Sequence, residues 1–189
     1  MKAGIFGRSA VGAAALSFAV CLPITSQAQT NAPDVPAPSA QFTAAQTAFD
    51  AAWTAESLSF STATYADGEA TAYGNYAPRA SSQFSIGEAI TIYAEPVGYS
   101  FAEDGDGYAY DLDVGFRLLN STGQVLVEQQ GFAKFSGKSR SKRRELGASL
   151  SFAFEGLPAG SYVLTADFND KIGGKGASLS LPLTVVNGQ

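Results

Sequence analysis

The run from Leu146 to Val186 constrains this chain more than any other stretch. Apolar side chains recur there at every second position, in three segments. Leu150, Phe152 and Phe154 mark the first, Tyr162 and Leu164 the second, and Leu179, Leu181, Leu183 and Val185 the third. A period of two belongs to strands that turn one face to a core and the other to solvent. Two turn clusters divide the segments. The first, Leu157-x-x-Gly160-x-Tyr162, has the spacing of a tyrosine corner, in which the ring hydroxyl bonds back to upstream backbone. The second, Asn169 to Gly176, predicts a hairpin loop. Leu150, Phe152, Phe154, Tyr162, Leu164, Leu181 and Leu183 are the expected core of this half.

The same period governs the earlier half. Leu58 to Tyr65 reads as a strand, and the turn signal Asp67-Gly68 leads to a predicted second strand over Glu69–Tyr76. Asn75 to Ser82 reads as a loop. Ala89 to Glu95 is the next strand, with Pro96 expected to stop it. A glycine-rich acidic loop, Gly98 to Gly107, precedes the longest strand, where Tyr108, Tyr110, Leu112, Val114, Phe116 and Leu118 share a face. Asn120 to Gly123 is a hairpin turn, with Val125, Val127 and Phe132 continuing beyond it. Short alternating strands punctuated in this way predict a mainly β fold, an antiparallel immunoglobulin-like β-sandwich over 57–187.

One segment breaks the pattern. Phe42, Ala45, Phe49 and Trp53 repeat at helical spacing, which predicts an amphipathic helix over 41–56, capped by Ser39 or by a Thr43-x-x-Gln46 box. The simplest role for its apolar face is to pack on the sandwich and cover a sheet edge; a partner-binding face is the other reading. Residues 29–40, with Pro33, Pro36 and Pro38, read as a flexible leader. Residues 1–28 read as a signal peptide. Lys2 and Arg8 precede an apolar stretch from Val11 to Leu22, and Ser26-Gln27-Ala28 offers a cleavage site after Ala28. Val20 before Cys21 departs from a lipobox. The expectation is a periplasmic or secreted protein with no transmembrane segment once the signal is cleaved.

Inventory narrows the chemistry. The chain has no histidine, and its single cysteine and single methionine are Cys21 and Met1, both within the predicted signal. Beyond residue 28 it therefore lacks a thiolate nucleophile, a histidine acid–base pair and the ordinary ligands of zinc or a c-type haem. A non-enzyme with no cofactor and no metal is expected. Loss of Lys2 and Arg8 leaves ten basic against 17 acidic residues, a balance of −7, which disfavours nucleic acid as a partner.

From Tyr76 onward the chain resembles a set of uncharacterised exported bacterial proteins. The resemblance rests on Tyr76-x-Pro78-Arg79, Phe84-x-x-Gly87-Glu88 and Tyr93-x-Glu95-Pro96-Val97-Gly98-Tyr99. It continues through Arg143-Arg144, Leu157-Pro158-x-Gly160-x-Tyr162-x-Leu164 and Asp170 to Lys175. It implies an exported immunoglobulin-like module and transfers no active site.

Two features are candidates for recognition. Seven of the eight tyrosines, from Tyr65 to Tyr110, lie in the first half of the domain. Tyrosine suits a recognition face as well as a half-buried strand; Arg79, Tyr93, Glu95 and Tyr99 are the candidate binding residues there. The sharper feature is Lys134 to Glu145, which holds six of the ten remaining cations. Lys138, Arg140, Lys142, Arg143 and Arg144 are the candidate contacts for an anionic envelope polymer or an acidic protein surface. A charged edge strand that resists pairing is the plainer reading. The acidic run Glu103 to Gly107 lacks EF-hand spacing, so a solvated hairpin is expected over a calcium loop. Together these readings predict an exported, non-catalytic binding or assembly module of the cell envelope. A carbohydrate-binding module or a carboxylate-dependent hydrolase on the same fold is the alternative.

Overall fold

Backbone polar groups must find partners, and an alternating chain finds them in neighbouring strands. The computed structural model describes residues 35–188, so the predicted signal peptide and the first half of the predicted leader lie outside the described residues. The structure is mainly β with, among the described residues, one helix, α1 (Ala40–Ala55). The strands are β1 (Ser59–Ala66), β2 (Gln83–Ser85), β3 (Ile90–Val97), β4 (Ala102–Asp104), β5 (Gly107–Asn120), β6 (Val125–Ser139), β7 (Ala148–Phe152), β8 (Gly160–Asp170) and β9 (Gly176–Val186).

They form two sheets. β1, β3 and β7 make an antiparallel three-stranded sheet; β2, β9, β8 and β5 run side by side in the other, with β4 and β6 also paired to β5. The second sheet is mixed, because short β2 lies parallel to β9. One core joins the sheets. Ile92, Ala94 and Leu150 from the first meet Leu112, Val114, Leu118, Leu164 and Leu183 from the second. Edge-on ring pairs bridge them, with Phe60 on Phe168 at 5.0 Å and Phe116 on Phe152 at 5.1 Å.

The alternation is clearest on β5 and is lost in the first half of β6, where every residue is exposed. On β5, Tyr110, Leu112, Val114, Phe116 and Leu118 are all buried. The Asn120 turn closes as expected, with its side-chain carbonyl accepting from the Thr122 and Gln124 amides. The tyrosine corner is present too: the Tyr162 hydroxyl donates to the Pro158 carbonyl at 2.8 Å. Of the expected core, Phe154 and Leu181 are only partly buried.

Several expectations need correction. Glu69–Tyr76 is not a strand. Gly68 and Gly74 both take positive φ, and the chain coils through a single bridge from Ala72 to Asn75. The segment instead crosses the face of β3 and β7 that points away from the core. The Ala70 amide donates to Ser149 Oγ and the Gly74 amide to the Tyr93 hydroxyl, and Tyr76 stacks on Tyr93 at 4.0 Å. Nor does Pro96 stop β3. It lies beyond the pairing with β7, which ends at Ala94, and beside a register shift in β1, where a missing N–H is tolerated. The basic segment begins on β6, which carries Lys134 and Lys138 before the chain leaves the sheet.

The helix departs furthest from its prediction. Ser39 caps it, its Oγ accepting from the Phe42 amide at 3.2 Å, yet Phe42 and Phe49 remain 53% and 55% exposed. Only Trp53 is buried. The helix docks by its C-terminal turns, through Trp53 and the Phe49–Asp50 turn before it.

Candidate binding groove

Everything that holds α1 lies at its C-terminal end. The Trp53 indole Nε1 donates to the Tyr99 carbonyl at 2.8 Å and meets the Tyr99 ring edge-on at 5.3 Å. Lys175, reaching across from the β8–β9 loop, donates from Nζ to the carbonyls of Glu56 and Gly98 at 2.8 and 2.7 Å. A cation at a helix C-terminus offsets the partial charge of its free carbonyls. Gly98 permits the close approach: its φ is +80°, and a Cβ there would collide with the Ser57 carbonyl.

Arg144 completes the joint from the other side. Its guanidinium sits 5.1 Å from the Phe49 ring and 5.4 Å from the Trp53 ring, and Nη2 donates to Asp50 Oδ1 at 2.6 Å. Aromatic faces and a carboxylate together suit a planar cation. The Tyr99 hydroxyl donates to the Arg143 carbonyl at 2.6 Å and so fixes the segment that carries these cations. Burial raises the Tyr99 hydroxyl above its ordinary pKa, which keeps it a donor.

Because the helix is pinned at one end, a groove of about 590 Å³ opens between its free turns and the segment after β6. Thr43, Gln46 and Phe49 line one wall; Tyr108, Arg140 and Lys142 line the other. A recess of about 220 Å³ continues past Trp53 and Phe101 towards Lys175. Lys142 borders both, and also a third hollow beside Arg143 and Glu145. Among the described residues no carboxylate lies within ion-pair distance of Lys142, whose ammonium rests 5.4 Å from the Tyr108 ring centre.

The candidate residues from sequence divide sharply. Arg140, Lys142, Arg143, Arg144 and Tyr99 do converge around α1. Lys138 and Arg140 bond Asp104 and Asp106 at 3.0 and 2.9 Å, and Lys134 and Arg144 bond Asp111 and Asp50 at 3.1 and 2.6 Å, so four of the segment's six cations are paired. A free positive pole is thereby reduced to Lys142 and Arg143. The pairing also engages Asp104 and Asp106 of the acidic loop, and among the described residues no three acidic side chains converge as a metal site.

Arg79, Tyr93 and Glu95 lie elsewhere and serve the fold. Arg79 binds Asp67 and Glu88 at 3.1 and 2.8 Å and covers the Phe84 ring. Tyr93 and Tyr99 are 0% exposed and Glu95 only 7%, which withdraws all three from any ligand at the surface. Beneath the Asp67–Ser82 segment, the Tyr93 hydroxyl donates to Glu95 Oε1 at 2.8 Å, and Ser61 Oγ donates to Oε2 at 3.1 Å. Burial pushes the Tyr93 hydroxyl up to about 12. The tyrosine cluster is thus mostly interior. What sequence reasoning missed is the outward wall of α1: Thr43, Gln46 and Thr47 are small or polar, but Phe49 was placed on the face turned inward.

The chain matches no protein-family model and no curated protein, so its own geometry carries the functional argument.

Proposed function

We propose that this chain is an exported, non-catalytic, immunoglobulin-like binding or assembly module of the bacterial cell envelope, which holds an anionic polymer in the groove beside α1. The observation that carries the reading is the groove itself, where Lys142, without an ion-pair partner, rests over the half-buried Tyr108 ring while most other cations are spent within the fold.

The strand order supports the immunoglobulin-like part. β1–β3–β7 opposite β2–β9–β8–β5–β6 corresponds to strands A–B–E opposite G–F–C–C′ with a short extra edge strand, and the tyrosine corner opens the strand equivalent to F. Export rests on the signal-like residues 1–28 and on the resemblance to exported bacterial proteins. Among the described residues no helix is long and apolar enough to cross a membrane.

An extended polymer suits an open trough better than a small molecule does, since small ligands are usually enclosed on most sides. Phosphate or carboxylate groups along it would meet Lys142, Arg143 and Arg140, at the cost to Arg140 of an exposed pair worth under about 1 kcal/mol. The test is retention of the purified chain on anionic envelope polymer immobilised on beads, followed as salt is raised. Retention should weaken steadily with salt and drop about tenfold in Lys142→Gln/Arg143→Gln. Unchanged retention in that variant sinks the reading.

One feature favours a carbohydrate-binding module as a second reading. Phe49 and Tyr108 border the same trough and offer rings on which a sugar face can stack. Salt-insensitive retention on a neutral polysaccharide, lost in Phe49→Ala, distinguishes it.

A further inference from the structure

The two walls of the groove differ in what they offer a ligand. On α1, Thr43, Gln46, Thr47 and Asp50 recur at spacings of three and four, so a single helix face lines the trough. The hydroxyl protons of that face are already engaged. Thr43 Oγ1 donates to the Ser39 carbonyl at 3.2 Å, and Thr47 Oγ1 donates to the Thr43 carbonyl at 3.1 Å. Thr54, in the recess beyond, does the same to the Asp50 carbonyl at 2.8 Å. A hydroxyl whose proton is held in this way presents only lone pairs to a ligand. Apart from the Gln46 amide, the helix wall therefore consists of acceptors and calls for donors. The opposite wall, Arg140, Ser141 and Lys142, carries positive charge and calls for anions.

Resting on the reading of this groove as a polymer site, we infer that the polymer is an acidic polysaccharide, a chain of hydroxyl-bearing rings that also carry carboxylates. Ring hydroxyls donate to Thr43 and Thr47 while the carboxylates meet Lys142. The Phe49 ring, 55% exposed, gives a sugar face a surface to lie on. Four residues of helix rise about 6 Å, so the two threonines meet successive donors along a chain rather than one group. A bare phosphate chain has no donor for either threonine. A neutral polysaccharide brings no anion to Lys142. An acidic peptide has both donors and carboxylates, but its acidic side chains have no flat face to set on Phe49.

Calorimetric titration of the purified full chain tests the assignment. The probes are polygalacturonate, its carboxyl-reduced neutral form, linear polyphosphate and polyglutamate, all at one ionic strength. Polygalacturonate is expected to bind several-fold tighter than the other three. Thr43→Val/Thr47→Val removes both acceptors from an exposed helix face, keeps the side-chain shape and leaves the core untouched. It should weaken polygalacturonate about fivefold and leave polyphosphate binding unchanged, with the circular dichroism of the native chain. Mere loss of the helix wall would instead weaken both polymers alike, and that result overturns the proposal. So does polyphosphate or polyglutamate binding as tightly as polygalacturonate, in which case the groove is an anion site of another kind. Equal binding of the neutral form overturns it in favour of the neutral-sugar reading. If none of the polyanions binds, the groove reading itself falls, and this inference with it.

Discussion

Asp170 shows how much a single buried side chain can decide. It is 2% exposed and accepts from three amides, those of Ile172 and Gly173 at Oδ1 and of Ser100 at Oδ2, all within 2.9–3.0 Å. It therefore ties the β8–β9 loop, which carries Lys175, to the loop that carries Tyr99. Burial opposes its charge, but the hydrogen bonds from Gly173, Ser100 and Ile172 outweigh burial and hold its pKa below the ordinary 3.8. Asp170→Ala leaves those amides unpartnered and should cost about 3 kcal/mol, read from urea unfolding. The sign of the pH effect follows from the lowered folded value. The carboxylate stabilises the fold fully above the unfolded pKa, and that stabilisation is lost as pH falls through the folded pKa. Asp167, lowered by its hydrogen bond to Arg117, acts in the same direction. Melting temperature followed from neutral pH down to about pH 2 should fall more gently in Asp170→Asn than in the native chain. Equal acid slopes would remove Asp170 from the account.

At the scale of elements, α1 is the informative one. Sixteen residues of isolated helix are marginal in water even when rich in alanine. Its stability therefore depends on Trp53, Arg144 and Lys175, which hold its last two turns. Trp53→Ala should release the helix from the domain, lowering the helical dichroism at 222 nm while the strand signal and most of the melting temperature persist. A helix signal that survives the substitution would show that the groove wall stands without Trp53. The capping serine was legible from its position before an alanine-rich run. The fate of Phe42 and Phe49 was not, because helical spacing says which residues share a face and nothing about how many turns of that face meet a partner. Tyr93 and Glu95 failed for a related reason. The segment Asp67–Ser82 covers them, and that cover comes from loop residues without periodicity.

The whole molecule folds without covalent help. One cysteine cannot form an intrachain disulfide, so cohesion rests on a shared core and on pairings distant in sequence, such as β1 with β3 and β5 with β8. Non-local antiparallel pairing makes refolding slow for the size of the chain, in milliseconds to seconds, and insensitive to reductant. Stopped-flow refolding with and without reductant should give the same rate; a reductant-dependent phase contradicts it. Charge is also settled at this scale. Lys138 and Arg140 look like a positive pole in the sequence, but the β4–β5 hairpin brings Asp104 and Asp106 against them.

By itself the sequence determined the longer strands, the turn at Asn120, the tyrosine corner and most residues of the core. Each of these follows from spacing within a few neighbouring residues, where backbone geometry acts directly. The tertiary structure alone decided which polar groups are free. Pairing between charges, the cover over Tyr93 and Glu95 and the docking of α1 by its C-terminal turns all depend on segments that meet across dozens of residues. A side chain's chemistry is written in its identity, but its availability is set by what folds against it.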